Sequence, residues 1–152
     1  MKKINIKSVI TGFVFACCLP ASVHALAEGW TMVPREPALD PDIDVNTYTF
    51  KMNTETPKYL TLKIAEGRYD ERTVQREFEK MAKANNCSLK GSPEFKPETA
   101  KAECGNEERA ADYTFYIRGN HGQLLLIGSF NVTYDEIEKF MQGLENEKAN
   151  QQ

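Results

Sequence analysis

Three short segments with alternating apolar and polar side chains constrain the fold of this chain most strongly. In "NTYTFKM" the apolar positions are Tyr48, Phe50 and Met52, and "KYLTLKI" and "DYTFYIR" repeat the pattern. A period of two residues predicts a β-strand with one buried face. The segment "QLLLIGSFNV" is apolar almost throughout, which predicts the central strand of a sheet.

Two other segments change to a helical period. The segment "DERTVQREFEKMAKANN" begins at Asp70, a residue type that caps helices. The segment "TYDEIEKFMQGLENEK" begins with Thr133 and Glu136 at the spacing of a capping box. The predicted buried stripes are Val74, Phe78, Met81 and Ala82 in the first helix and Ile137, Phe140, Met141 and Leu144 in the second.

The order of these elements predicts an α+β fold. Weaker strand signals occur at residues 87–89 and in "ETAKAEC", and the "KGSPEFKP" between them is rich in turn formers. Short turns join the strands, so we expect a mostly antiparallel sheet of about five or six strands. Each helix has one apolar stripe, and we expect both helices to pack on one face of the sheet.

Residues 1–27 have the layout of a secretory signal peptide. Three lysines precede an apolar run at about residues 9–19, and small residues allow cleavage after Ala25 or Ala27. The run is shorter than the roughly 20 residues that a membrane-spanning helix needs. We therefore predict export to the periplasm without stable membrane insertion. The alternatives are an N-terminal membrane anchor and lipidation at Cys17, within a poor lipobox.

About 125 residues remain after this segment, which suits one small domain. Residues 28–44 hold three prolines and predict an extended arm that Trp30 anchors to the domain. Residues 45–147 are predicted to form a single α+β domain, and residues 148–152 a disordered tail.

The mature chain would keep two cysteines, Cys87 and Cys104. Two cysteines usually pair in an oxidising compartment, so we predict a structural disulfide. Its loop of 17 positions corresponds to a stabilisation of about 3 kcal/mol. The alternative is a metal or redox pair. His121 is the only histidine that remains and no CxxC motif occurs, so we predict no metal and no cofactor.

The charge balance excludes some classes of partner. Without the three lysines of the signal, 16 basic residues stand against 22 acidic ones, a net charge of −6. Nucleic acid and anionic membranes require clustered positive charge, so neither is a predicted partner. The acidic balance favours a protein partner with a basic face, although it also serves solubility alone.

The segment "DPDIDVN" places Asp40, Asp42 and Asp44 at alternating positions, like the start of a calcium loop. Such a loop also needs glycine at its sixth position and glutamate at its twelfth, and this chain has Val45 and Lys51 there. Calcium binding is therefore not predicted. The segment is either a solvated acidic arm or a negative patch that docks into a basic cleft of a partner.

A second candidate contact lies in "RGNHGQ", at a predicted hairpin tip that contains Arg118, Asn120 and His121. Either the turn is simply exposed or it is a recognition loop on a rigid sheet. Catalysis would need a nucleophile or carboxylate beside the histidine, and no motif supplies one. The chain also contains no GxSxG, P-loop, HExxH or Rossmann pattern. We therefore predict that it is not an enzyme.

In overall plan the chain resembles the small periplasmic immunity proteins that protect bacteriocin producers, those of the pesticin-immunity type among them. The resemblance rests on the signal "MKKINIKSVITGFVFACCLPASVHA", the two remaining cysteines and the size. It implies binding of a muramidase-type toxin in the periplasm without enzymatic activity, and it identifies no interface residues. The predicted function is thus occlusion of a secreted toxin or lytic enzyme. The alternative is an accessory component of a secretion, pilus or conjugation system.

Overall fold

The structure, a computed structural model, describes residues 29–34 and 46–150. In chain order these residues form β1 (Thr31–Met32), β2 (Thr47–Met52), β3 (Lys58–Glu66), α1 (Glu71–Ala84), β4 (Ser88–Phe95), β5 (Thr99–Asn106), β6 (Ala111–Asn120), β7 (Gln123–Phe130) and α2 (Tyr134–Asn150). The fold class is α+β, as predicted. The predicted signal peptide and the acidic part of the arm lie outside the described residues.

All the described strands belong to one antiparallel sheet, in the order β1-β2-β3-β7-β6-β5-β4. β7 occupies the middle, which confirms the predicted central strand. The sheet has seven strands in the described part of the chain, so the predicted number of about five or six was roughly right but not exact. The unpredicted strand is β1, which is two residues long and therefore too short to show alternation.

The edge strand β4 is longer than the sequence predicted. It continues through part of the turn-rich segment "KGSPEFKP", past a bulge between Lys90 and Glu94. Gly91 lies in this bulge with a φ of +70°, a conformation that favours glycine. Pro93 is tolerated because an edge strand does not need every backbone N–H for the ladder.

The central strand β7 is apolar on both sides, and this divides the core in two. Leu125 and Ile127 pack with residues of β2, β3 and α2, and this side of the sheet is called the α2 face. Leu124 and Leu126 pack with residues of β5, β6 and α1 on the other side, called the α1 face. The prediction that both helices pack on one face was therefore wrong. One helix lies on each face because β6 and β7 bury apolar side chains in both directions.

Both helices begin as the sequence predicted. The Asp70 carboxylate accepts a hydrogen bond of 2.9 Å from the backbone N–H of Thr73. In α2, the N–H of Thr133 donates to Glu136 at 2.9 Å and the N–H of Glu136 donates to the Thr133 hydroxyl at 3.3 Å. This reciprocal pair is a capping box. The predicted stripes lie in the two cores, with all their residues buried except the half-buried Met81.

α2 continues to Asn150, so it includes the first three residues of the segment that was predicted to be a tail. The sequence from 145 to 150 is "ENEKAN", in which glutamate, lysine and alanine favour helix and neither glycine nor proline interrupts it. The absence of a stop signal accounts for the longer helix.

Trp30 anchors the start of the arm, as predicted. Its indole is buried, and its ring centroid lies 5.7 Å from that of Phe140 in an edge-to-face arrangement. The N–H of Val33 also donates to the carbonyl of Thr49 at 2.8 Å. These contacts attach β1 to the edge of the sheet and to α2.

The predicted disulfide is present between Cys87 and Cys104, with Cα atoms 5.8 Å apart. Cys87 lies between α1 and β4, and Cys104 lies on β5 in the core beneath α1. The bond therefore fastens the end of the helix to the sheet.

Reduction of this disulfide is expected to lower the free energy of unfolding by about 3 kcal/mol, because the bond closes a loop of 17 positions in the unfolded chain. Urea unfolding of the purified protein with and without a phosphine reductant measures the change. The Cys87→Ala/Cys104→Ala double variant is the control, since its curve should not respond to the reductant. Superimposable curves of the oxidised and reduced wild type would contradict the prediction.

Glu136 makes the stability of the fold depend on pH. Burial raises the pKa of Glu136, but hydrogen bonds from Lys58 and Thr133 outweigh that effect and hold it below its ordinary value. A depressed carboxyl pKa gives stability that is present at neutral pH and is lost as the pH falls through the folded-state pKa. We expect the gap in unfolding free energy between wild type and Glu136→Gln to be largest at pH 7 and to shrink below about pH 4. A gap that stays constant down to pH 2 would disprove this.

Candidate functional site

The site is built on the connection between β6 and β7, whose two-residue loop is His121 and Gly122. Asn120 pairs with Gln123 across the loop, and residues 120–123 are called the hairpin tip. The backbone φ is +46° at His121 and +81° at Gly122. Positive φ at both central positions is the requirement of a type I′ turn, whose twist matches that of the strands. The turn therefore extends the sheet rigidly and leaves the His121 side chain exposed.

Two neighbouring segments are hydrogen-bonded to the hairpin tip and to the end of β6 beside it. The N–H of Gly67, in the chain that leads into α1, donates to the carbonyl of Gly122 at 3.1 Å. The N–H of Gly119 donates to the carbonyl of Glu98, in the β4–β5 connection, at 2.9 Å. The tip is thus fixed on both sides by backbone hydrogen bonds.

Tyr69 holds these segments together. Its hydroxyl lies 2.7 Å from the carbonyl oxygen of Lys96 and 2.6 Å from that of Thr99. Burial is the main cause that raises the pKa of Tyr69, so the phenol stays protonated and its single O–H is shared between these two carbonyls. The tyrosine side chain lies directly against Gly119, where an added Cβ would come within 2.7 Å of the Tyr69 Cβ.

A cleft of about 400 Å³ lies between the hairpin tip and its supports. Its polar lining comes from three separate parts of the chain: Arg68 and Tyr69 before α1, Glu98 after β4, and Arg118, Asn120, His121 and Gln123 in the hairpin of β6 and β7. All three residues that were predicted as contacts of the recognition loop are therefore brought to one place.

The three predicted residues differ in how they are held. Asn120 and His121 belong to the hairpin tip itself. Arg118 lies on the α2 face, and its guanidinium Nη1 is 2.6 Å from the carboxylate of Glu145. Arg118 thus links the hairpin to α2. The acidic residues Asp40, Asp42 and Asp44 lie outside the described residues.

Sequence reasoning did not identify Arg68, Tyr69 or Glu98. These residues lie some 20 to 50 positions from the hairpin along the chain, and only the folding of the sheet brings them together. Gly119 carried the one available signal, because a glycine inside a strand often marks a close approach of another group. Here that group is the Tyr69 side chain.

A second cleft, of about 480 Å³, lies beside the disulfide near the opposite end of the sheet. Its charged lining residues are two lysines and two glutamates, so the cleft has no net charge: Lys83, Lys90, Glu107 and Glu108. Lys90 is already paired with Asp112 at 2.6 Å. This cleft is larger, but none of the predicted contact residues lines it.

Two further observations concern the part of the chain that the structure describes. No group of three or more histidine, cysteine, aspartate or glutamate side chains there is arranged to hold a metal ion. None of the helices in that part is long and apolar enough to cross a membrane. Comparison with protein-family models, with curated proteins and with solved structures finds no match for this chain.

The close contact at Gly119 can be tested by substitution. Gly119→Ala should destabilise the protein by about 1–3 kcal/mol, because the new Cβ displaces the Tyr69 side chain from a packed position. Gly128→Ala is the matched control on the neighbouring strand, since its Cβ would meet Met81 at an ordinary 3.6 Å. Urea unfolding measures both changes. Equal stability of the two variants would contradict the packing role of Tyr69.

Proposed function

We propose that the protein is a periplasmic immunity or inhibitor protein that occludes a bacteriocin or a cell-wall-lytic toxin and so protects the producing cell. The observation that carries the proposal is the hairpin tip, whose two-residue turn presents an exposed histidine. Hydrogen bonds at Gly122 and at the adjoining Gly119 hold the tip on both sides. A rigid protrusion of this kind suits insertion into a concave partner.

Rigidity favours tight binding, because a loop that is already ordered loses little conformational entropy when it binds. The hairpin tip forms the end of the two strands β6 and β7, which pair over their whole shared length. Its backbone therefore has no large rearrangement to make on association. This is how small inhibitors block larger enzymes.

The chemistry of the hairpin tip suits the active site of a muramidase-type toxin. Enzymes that hydrolyse glycosidic bonds generally use a pair of carboxyl groups in a cleft. The Asn120 amide and the His121 imidazole both supply N–H donors that can pair with carboxylates. Occlusion would then block both the substrate site and the catalytic groups.

The charge of the whole protein supports the same partner class. The chain has a net charge of −3, or −6 without the predicted signal. Complementary charge accelerates encounter with a basic protein. The resemblance in plan to small periplasmic immunity proteins, with their export signal and cysteine pair, agrees with this proposal.

Two substitutions of His121 test the role of the hairpin tip. Asparagine tolerates positive φ, so His121→Asn removes the imidazole without disturbing the turn. It should weaken inhibition about tenfold. His121→Asp adds a negative charge opposite the catalytic carboxylates and should weaken inhibition at least about 100-fold. Glu108→Gln, in the exposed turn between β5 and β6, is the control and should leave inhibition unchanged.

The measurement has two parts. Sensitive cells that export each variant are challenged with purified peptidoglycan-cleaving bacteriocins, and survival is scored. The inhibition constant of each purified variant is then determined by loss of turbidity of cell-wall suspensions. Crosslinking in the same cells identifies the proteins that this protein contacts. If no bacteriocin is inhibited and only integral envelope proteins are crosslinked, the immunity proposal fails and the accessory-component alternative replaces it.

A further inference from the structure

Among the residues that the structure describes, α1 covers only the part of the α1 face formed by β4, β5, β6 and β7, and the part formed by β1, β2 and β3 is here called the open half. α1 packs over β4, β5, β6 and β7, through Val74, Phe78 and Ala82. On the same face, the described side chains of β1, β2 and β3 are largely hydroxyl-bearing or basic. They comprise Thr31, Thr47, Thr49, Lys51, Tyr59, Thr61 and Lys63, with Ala65 at the border of the core beneath α1.

Aromatic side chains line up across the border of this open half. Tyr59 on β3 pairs in register with Phe130 on β7, and Phe130 pairs with Tyr113 on β6. Lys51 on β2 is the register partner of Tyr59. These four residues form one transverse row, here called the aromatic row. Register partners in an antiparallel sheet lie on the same face, so all four project on the α1 face.

The aromatic row is accessible. The side chains of Tyr59 and Phe130 are 45% and 37% exposed, and they are the large apolar residues that remain exposed in the described part of the chain. The rings of Tyr113 and Phe130 lie 5.9 Å apart. Single exposed apolar residues are ordinary, but a contiguous aromatic patch marks an interaction surface.

The open half also differs in charge from the rest of the protein. On the described strands β1, β2 and β3, the charged side chains of the α1 face are Lys51 and Lys63. Lys63 already has an interaction partner, so the positive charge that a ligand could meet here is that of Lys51. The chain as a whole is acidic, with 22 acidic against 19 basic residues. Lys51 forms no ion pair with another residue that the structure describes. Charge complementarity therefore points to an anionic ligand.

We propose that the aromatic row and the adjoining threonines bind a polysaccharide strand that carries carboxylates. The apolar C–H faces of pyranose rings pack against aromatic side chains, and threonine hydroxyls can exchange hydrogen bonds with sugar hydroxyls. Neighbouring strands are about 4.8 Å apart, which is close to the length of one sugar unit along an extended chain. Lys51 lies at the end of the row and supplies the cation for a carboxylate.

This surface is separate from the hairpin tip. Phe130 ends β7 and Gln123 begins it, so the two sites lie at opposite ends of the central strand. The proposal is independent of the proposed function, and its test needs no toxin.

The test is a binding titration of the purified protein with three probes. The first is the peptide-free GlcNAc–MurNAc tetrasaccharide of peptidoglycan, which carries carboxylates. The second is chitin tetraose, which lacks them, and the third is poly-glutamate, which has carboxylates without sugar rings. We expect the first probe to bind best, the second more weakly and the third not at all.

Variants locate the site. Tyr59→Thr keeps a residue that favours strands and should weaken the binding of both sugars at least about tenfold. Lys51→Gln should reduce binding of the carboxylated probe to the level of chitin tetraose. Lys90→Gln, on the opposite face of the sheet, is the matched control and should change nothing. Unchanged sugar binding by Tyr59→Thr, binding to poly-glutamate as tight as to the sugars, or no sugar binding at all would overturn the proposal.

Discussion

The packing of the central strand β7 determines how the rest of the molecule is arranged. Leu124 and Leu126 project to one face of the sheet, and Leu125 and Ile127 project to the other. Because a strand that is apolar on both sides must be covered on both, one helix is needed on each face. α2 packs against β2, β3, β6 and β7 and also contacts Lys101 of β5. α1 packs over β4, β5, β6 and β7 on the other face.

This arrangement also gives the two ends of β7 different surroundings. At its start, the exposed hairpin tip is hydrogen-bonded to the chain before α1, and the adjoining end of β6 is hydrogen-bonded to the β4–β5 connection. Tyr69 fastens these two supporting segments to each other. At its end, Phe130 lies exposed between Tyr59 and Tyr113. One end is thus a rigid protrusion and the other a flat aromatic surface. A protein that acts by binding can use both.

Short-range sequence patterns correctly predicted the strands, helix caps and turns that depend on neighbouring residues. Alternation identified β2, β3 and β6, side-chain spacing identified the caps at Asp70 and Thr133, and the turn "GNHG" placed Asn120 and His121 at a tip. What failed depended on distant contacts. Nothing near Tyr69 in the sequence indicates that it contacts Gly119. The apolar stripe of a helix does not indicate which face of the sheet the helix will cover. The continuous apolar run of β7 did indicate that both faces of the sheet must be covered.

We propose that the hairpin tip enters the active site of a lytic toxin. Hydrogen–deuterium exchange of the one-to-one complex with a peptidoglycan-cleaving bacteriocin can detect this contact. We expect slowed exchange at residues 118–123 of this protein and at the catalytic cleft of the toxin. The absence of any such complex, or slowed exchange confined to other surfaces of this protein, would contradict it.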